Sequence, residues 1–264
     1  MGYGKYAFCI ADPINKKIID IIPNRRTNWL RHYFNKVSNK ERKRVKTIII
    51  DLWAPYRNII KDYFPNATII ADRFHYVRHL YWAFNDVRVR VMKSFHTSNN
   101  NYKFLKAYWK VLFKSPLKLS SSYRKIPYSN IDLNEYGIQD LACSIDSELE
   151  EAISLKDYFQ VGIEKKYDSY DEALKFINSW IMKLRDSNLK EFNKLATTFI
   201  NWKDEIINSI IHYDSNNKRY SNGFIEGVNN FIKVIRRLAF GFRDFDRFRK
   251  KVMVSFNNEF YIRA

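Results

Sequence analysis

Two short β-branched runs, each ending in an aspartate and separated by one helix-length segment, constrain the fold of this chain more than any other feature. Arg44-Val45-Lys46-Thr47-Ile48-Ile49-Ile50 stops at Asp51, and Ala67-Thr68-Ile69-Ile70-Ala71 stops at Asp72. Apolar runs bounded in this way have the profile of strands buried on both faces. Between them, Pro55 takes a favourable first-turn position, and Tyr56, Ile59, Ile60, Tyr63 and Phe64 recur at helical spacing before Pro65-Asn66 ends the helix. Strand, helix and strand in such close succession form a βαβ unit, which implies a parallel pair with a right-handed crossover.

The flanking segments differ in character. Tyr6 to Ala11 and Lys17 to Ile22 surround Asp12-Pro13 as a hairpin-like pair of strands, and Trp29 to Val37 reads as a basic helix. From Phe74 onward the strand signal disappears. Residues 74–114 form a long basic helical stretch rich in aromatics, and Ser120-Ser121-Ser122 with Pro116 and Pro127 interrupts it. Helical patterns continue from Tyr170 to about His212, and the polar link Asp214 to Asn217 precedes a last element from Tyr220 to about Phe260. The fold class expected is α/β, with a β-rich front, a helical middle and a basic helical end.

Charge narrows the function. The 264 residues carry 46 Lys and Arg against 28 Asp and Glu, a net +18, while 46% hydrophobic residues supply ample core. A foldable chain with this excess points to a polyanionic partner. The charge is uneven: residues 132–172 hold 12 acids against 3 lysines, a local −9, which leaves +27 for the rest. Polyanion binding is therefore expected on the flanks. Two cysteines, Cys9 and Cys143, are too few for a disulfide framework or a thiolate zinc site. No apolar run reaches the roughly 18–20 residues of a membrane span, and the amino terminus lacks the apolar core of a signal peptide. A cytoplasmic protein is expected, with no membrane partner. Neither a nucleotide-binding glycine loop nor a serine nucleophile elbow occurs, so no nucleotide is expected.

Three constellations remain. Asp51 and Asp72 close successive strands, where a carboxylate can reach a ligand or metal, or can instead cap the helix that follows; the residues alone leave both open. In Tyr220-Ser221-Asn222-Gly223-Phe224-Ile225-Glu226-Gly227-Val228-Asn229-Asn230, helical spacing puts Ile225, Val228, Ile232 and Ile235 on one face. Glu226, Asn229, Asn230, Lys233 and Arg237 fall on another, either as a solvated surface or as a ligand-facing stripe. Gly223 and Gly227 flank the acid at a cost of about 1 kcal/mol each in a helix interior, which suggests close backbone approach. Beyond them, Lys233, Arg236, Arg237, Arg243, Arg247, Arg249, Lys250 and Lys251 interleave with Phe240, Phe242, Phe245 and Phe248, a pattern suited to phosphate contact with the phenylalanines turned inward. His75, three residues after Asp72, is a weaker ligand candidate, since a single histidine is more often structural.

These residues resemble the DDE transposases of bacterial insertion sequences, in the ISL3 group. The resemblance is carried by Ile48-Ile49-Ile50-Asp51, Ala54-Pro55-Tyr56, Phe64-Pro65-Asn66-Ala67 and Ala71-Asp72-Arg73-Phe74-His75. It continues through Tyr220 to Asn230, Lys233-Val234-Ile235-Arg236-Arg237 and Gly241-Phe242-Arg243, and so spans nearly the whole chain. It implies an RNase H-like fold, a mixed sheet with flanking helices and a long all-helical insertion before the last catalytic helix. Residues 1–80 and 218–264 would then form the core and 81–217 the insertion. It also implies that Asp51 and Glu226 are catalytic ligands for two Mg²⁺ (or Mn²⁺) ions, with Asp72, His75, Asn222 and Asn229 as possible accessory residues. One metal would activate water or a 3′-hydroxyl and the other would stabilise the leaving oxygen. The implied partners are double-stranded DNA, as element ends and target, and further copies of the chain, in a bacterial, nucleoid-associated setting.

One departure accompanies the match. The first catalytic aspartate of the family lies on a strand just ahead of the segment matched by Gly4-Lys5-Tyr6, and it has no counterpart here; Asp12 matches a turn instead. The expectation is a truncated chain that keeps DNA affinity with little or no strand transfer. The rival reading is a non-catalytic DNA-binding remnant.

Overall fold

The computed structural model describes residues 6–128, 131–239, 241–242 and 244–257. Its elements are β1 (Phe8–Asp12), β2 (Lys17–Ile22), α1 (Thr27–Asn35), α2 (Asn39–Arg44), β3 (Thr47–Ile50), α3 (Ala54–Tyr63) and β4 (Thr68–Ala71). There follow α4 (Arg73–Ser94), α5 (Asn100–Ala107), α6 (Trp109–Leu112), β5 (Arg124–Lys125), β6 (Asp132–Leu133), α7 (Glu135–Ile145) and α8 (Ser147–Glu164). The last elements are α9 (Tyr170–Asp186), α10 (Lys190–Asn201), α11 (Lys203–Ile211), α12 (Gly223–Leu238) and α13 (Phe245–Asn257). They divide into one unit of residues 1–70 with 220–264 and a second of residues 71–219.

In the first unit the expected hairpin forms, with β1 and β2 antiparallel. The Asp12 carboxylate closes the turn by accepting from the amides of Ile14 (2.9 Å) and Asn15 (3.1 Å). The pairing runs Ile10 to Asp20 and then Ala11 to Ile18, so Ile19 is an extra residue on β2. Such a bulge shifts the alternation by one. As a result Ile18 and Ile21, three apart, share one apolar cluster with Val228 of α12 and with Phe248 and Val252 of α13. Ile22 instead joins Leu30, Phe34, Ile59 and Tyr63 of α1 and α3, with Phe8 and Ile10 packed against them. The short hairpin thus serves two cores.

Two polar ties fasten α13 to β2. Arg249 Nε donates to Asp20 Oδ1 at 2.5 Å. The Asn257 amide donates to Ile18 O and accepts from Ile18 N, both at 2.9 Å, and so satisfies strand backbone as a neighbouring strand would. Burial opposes the charge of Asp20, but Arg249, the Ile21 amide and the Tyr33 hydroxyl outweigh it and hold the carboxyl below the usual carboxylate range.

Several sequence expectations change in detail. The run at residues 44–50 is shorter as a strand, because Arg44 ends α2, a helix opened by a Ser38–Glu41 capping box. Only Ile50 of β3 is buried, whereas Ile69, Ile70 and Ala71 of β4 all are. β3 pairs with β4, but among the described residues the strands make three two-stranded sheets with no ladder joining them. The last element is two helices rather than one. Gly241 (φ +98°) sits in the left-handed region, and its amide returns to Arg236 O at 3.1 Å, the six-to-one bond that ends a helix.

Among the described residues the second unit is mostly helical, and it adds the short β5–β6 pair, which the sequence pattern did not show. Tyr76, Leu80, Phe84 and Val87 of α4 are buried, as are Phe159 of α8, Trp180 of α9 and Phe199 of α10. Tyr76 and Phe159 meet edge to face, as do Phe159 and Phe199, the arrangement aromatic pairs prefer. Buried Lys156 satisfies its ammonium through Asp157, Lys114 O (2.8 Å) and Gln160 Oε1 (3.3 Å), and burial pulls its pKa down. Part of the negative charge in residues 132–172 is internal to this unit, since Glu135 binds Lys114 at 2.6 Å and Glu148 binds Arg90. Among the described residues no helix is long and apolar enough to cross a membrane.

The Asp20–Arg249 tie sets a pH dependence. Because the folded Asp20 carboxyl lies below its unfolded value, its stabilisation is complete above the ordinary aspartate range and is lost as pH falls through the folded value, below about 4. Arg249→Ala should cost about 1–3 kcal/mol in urea unfolding at pH 7, the range for a polar group that loses its partner. The difference should shrink as pH falls below about 4, and equal unfolding curves at pH 7 would remove the tie from the fold's support.

Candidate functional site

β3 delivers Asp51 at its carboxyl end, where the chain leaves the strand and α3 begins. The capping alternative fails for this residue, because the cap position of α3 belongs to Trp53, two residues on. Asp51 is exposed. Its Oδ1 accepts a hydrogen bond from Asn222 Nδ2 at 2.9 Å, across 171 residues of sequence. Asn222 occupies the N-cap of α12, where asparagine ordinarily turns its side chain back onto the helix's own amides. Here the side chain makes no such cap bond and turns to Asp51, giving up a stabilisation of about 1 kcal/mol.

α12 then carries the expected stripe. Val228 is fully buried, and Ile225, Ile232 and Ile235 are partly so, whereas Glu226, Asn229, Asn230, Lys233 and Arg237 are exposed. The Glu226 amide donates to Asn222 O at 3.1 Å, so the two residues stand one helical turn apart, a rise of about 6 Å. An acid in the first turn also gains about 0.3–1 kcal/mol from the helix dipole. That gain accounts for Glu226 as a helix residue, but it does not account for the outward turn of Asn222. A Cβ added at Gly227 would meet nothing within 4 Å, so the glycine next to the acid is not required by packing among the described residues.

Asp51 and Glu226 offer oxygen donors. Their exposed carboxylates suit a hard divalent cation such as Mg²⁺ or Mn²⁺. An Asn222 amide that fixes one carboxylate is the kind of supporting contact that orients a metal ligand.

Asp72 and His75 fall in the second unit, at the start of α4. Asp72 is buried and occupies the N-cap position without a side-chain cap bond, so capping does not explain it either. His75 Nε2 lies 3.7 Å from Asp72 Oδ2, and Arg78 approaches its Nδ1 at 3.0 Å. Asn229 is exposed on the α12 stripe.

The basic tail is only partly free for a ligand. Lys233, Arg236, Arg237, Arg247, Lys250 and Lys251 are exposed, whereas Arg249 is engaged inward by Asp20. Phe248 is buried and Phe242 and Phe245 partly so, in agreement with inward phenylalanines and outward cations. Arg243 and Phe240 lie outside the described residues. The sequence had marked Asn222 only as accessory, and nothing in its spacing revealed the partner across 171 residues.

A family model described as a transposase, of the DDE type and ISL3 group, matches residues 2–252. Among curated relatives, the transposase for insertion sequence element IS1001 of Bordetella parapertussis is 24% identical over 257 residues. That match covers 96% of this chain and 57% of the relative, so the chain spans little more than half the length of that protein. A Lactococcus lactis protein named as an ATP-dependent protease is 29% identical over 103 residues, 39% of this chain and 29% of the relative. No solved structure matches.

The Asn222 contact leads to a direct test. Asn222→Ala should weaken Mn²⁺ binding, measured by titration calorimetry, by about 10-fold, the lower end for lost support of a metal ligand. The same variant should lose no more than about 1 kcal/mol of stability in urea unfolding, as expected for one hydrogen bond at a half-buried position that makes no cap bond. Unchanged Mn²⁺ affinity would mean that Asn222 does not orient a ligand.

Proposed function

Because the chain belongs to the ISL3 family of DDE transposases, we propose that it binds insertion-sequence DNA and carries the metal-dependent chemistry of DNA cleavage and strand transfer, with Asp51 and Glu226 as metal ligands. The observation that supports this reading most directly is the Asn222–Asp51 hydrogen bond, which joins the helix carrying Glu226 to the strand end carrying Asp51 within one unit. A bound divalent cation supplies Lewis-acid activation of an attacking hydroxyl and neutralises charge on the phosphate. Asp51 and Glu226 contribute hard oxygen ligands, and Asn222 fixes the orientation of the Asp51 carboxylate. Asp72, at the end of the neighbouring strand in the sequence, has an accessory role in this reading, and His75 and Asn229 are secondary candidates.

An RNase H-like arrangement, with residues 81–217 as an insertion and residues 218–264 returning to the core, is part of the same proposal. So is self-association on paired element ends. The exposed face of α12 and α13 holds the DNA backbone. Lys233, Arg236, Arg237, Arg247, Lys250 and Lys251 are its phosphate contacts, and the open side of Gly227 lets a backbone come close to Glu226. Arg249 is assigned to folding and not to this face.

Two measurements test the proposal. The chain should nick a duplex bearing element-end sequence in Mn²⁺ or Mg²⁺, and Asp51→Ala and Glu226→Ala should each reduce the rate by about a thousandfold or more. Binding of the duplex without metal-dependent nicking would sink the catalytic part and leave the DNA-binding part standing. Six phosphate contacts give a slope near −5 for log affinity against log salt, so duplex affinity should fall about a thousandfold between roughly 50 and 200 mM salt. A flat response would overturn the assignment of this face.

A further inference from the structure

The first half of α4 presents a feature that the active-site reading does not use. Phe74, Arg78 and Trp82 recur at intervals of four along one face of the helix. The Arg78 guanidinium lies 5.3 Å from the Phe74 ring centroid and 4.8 Å from that of Trp82, so one cation is held between two aromatic rings. Phe74 is 56% exposed and Trp82 51% exposed, although Tyr76, Leu80, Ala83 and Phe84 of the same helix are buried. The helix has ample inward positions for aromatics and nevertheless keeps these two outside.

The neighbours hold the array in place. Arg78 bonds the His75 ring at 3.0 Å, and the His79 ring meets Trp82 edge to face at 5.1 Å. Side chains fixed in this way lose little further freedom when a partner arrives, which favours a planar ligand stacked on the rings. The array is cationic through Arg78 at its centre, and the next residue on the stripe, Asp86, ends that charge. A flat, π-rich and anionic partner satisfies all three conditions, and unpaired nucleotides combine these properties. Duplex DNA does not, because its bases are stacked on one another and present only their edges in the grooves, with no free face to lie on a ring.

We propose that Phe74, Arg78 and Trp82 form a stacking platform for a short unpaired DNA segment, with bases against the rings and phosphate near Arg78. The inference rests on the reading that DNA is the partner, and it adds a single-strand site to the duplex-binding face of α12 and α13.

The test uses the full chain and two labelled probes, a thymidine oligonucleotide of about 20 nucleotides, longer than common single-strand site sizes, and a blunt duplex. Trp82→Ala and Phe74→Ala should each weaken oligonucleotide binding by about 10-fold, within the range for one lost base–aromatic stack. Trp82→Phe should recover most of that loss, and duplex affinity should change less than about twofold in all three. Trp fluorescence of the parent should be quenched by the oligonucleotide, with most of the quenching absent from Trp82→Phe. If Trp82→Ala binds the oligonucleotide as tightly as the parent, or loses oligonucleotide and duplex equally, the platform is overturned while the DNA reading stands. If the parent binds neither probe, the DNA reading itself fails and this inference falls with it.

Discussion

The tie between β2 and α13 is the constraint on which the first unit depends. Asp20 and Arg249 are 229 residues apart, and Ile18 and Asn257 are 239 apart. Closing a flexible loop of that length costs on the order of 5 kcal/mol in chain entropy. Two polar ties offset part of that cost, and the apolar cluster of Ile18, Ile21, Val228, Phe248 and Val252 supplies the rest of the drive. The bulge at Ile19 makes this possible, because without the shift Ile18 and Ile21 would point to opposite faces of the hairpin. Once α13 is held, the Gly241 turn returns the chain into α12, and Asn222 can reach Asp51.

The site inherits its character from that framework. Asp51 is exposed at a strand end, Asn222 forgoes capping its own helix, and Glu226 stands one turn along. Asp51 caps no helix and Asn222 gives up its cap bond, whereas Glu226 gains from the dipole of its own helix. The same reasoning separates the cations. Arg249 looks like its basic neighbours in sequence but has a buried carboxylate to neutralise, whereas Arg247 has only an exposed contact to Asp244 at 3.9 Å and Lys250 is exposed, and in the proposed reading both face phosphate.

Much of this was legible beforehand. The β1–β2 hairpin, the strand–helix–strand run, the amphipathic α12 and the inward phenylalanines all rest on periodicity, which local sequence encodes. The short length of β3 was not legible, because its first residues belong to a helix fixed by the Ser38–Glu41 capping box. The two-residue β5–β6 pair was missed because so short a pair leaves no alternation to read. The Phe74, Arg78 and Trp82 spacing was visible as part of an aromatic, basic helix, but burial alone distinguishes two exposed rings from the core aromatics interleaved with them.

The sequence by itself determined the family, the class of elements, the sign of the charge and the two acids at issue, because motif order and periodicity are properties of the chain read locally. Tertiary structure alone decided which polar groups meet. It assigned Arg249 to Asp20, Asn257 to the backbone of β2 and Asn222 to Asp51. Hydrogen bonds depend on distances of about 3 Å, and residues two hundred positions apart acquire such distances only when a shared apolar core brings their elements together.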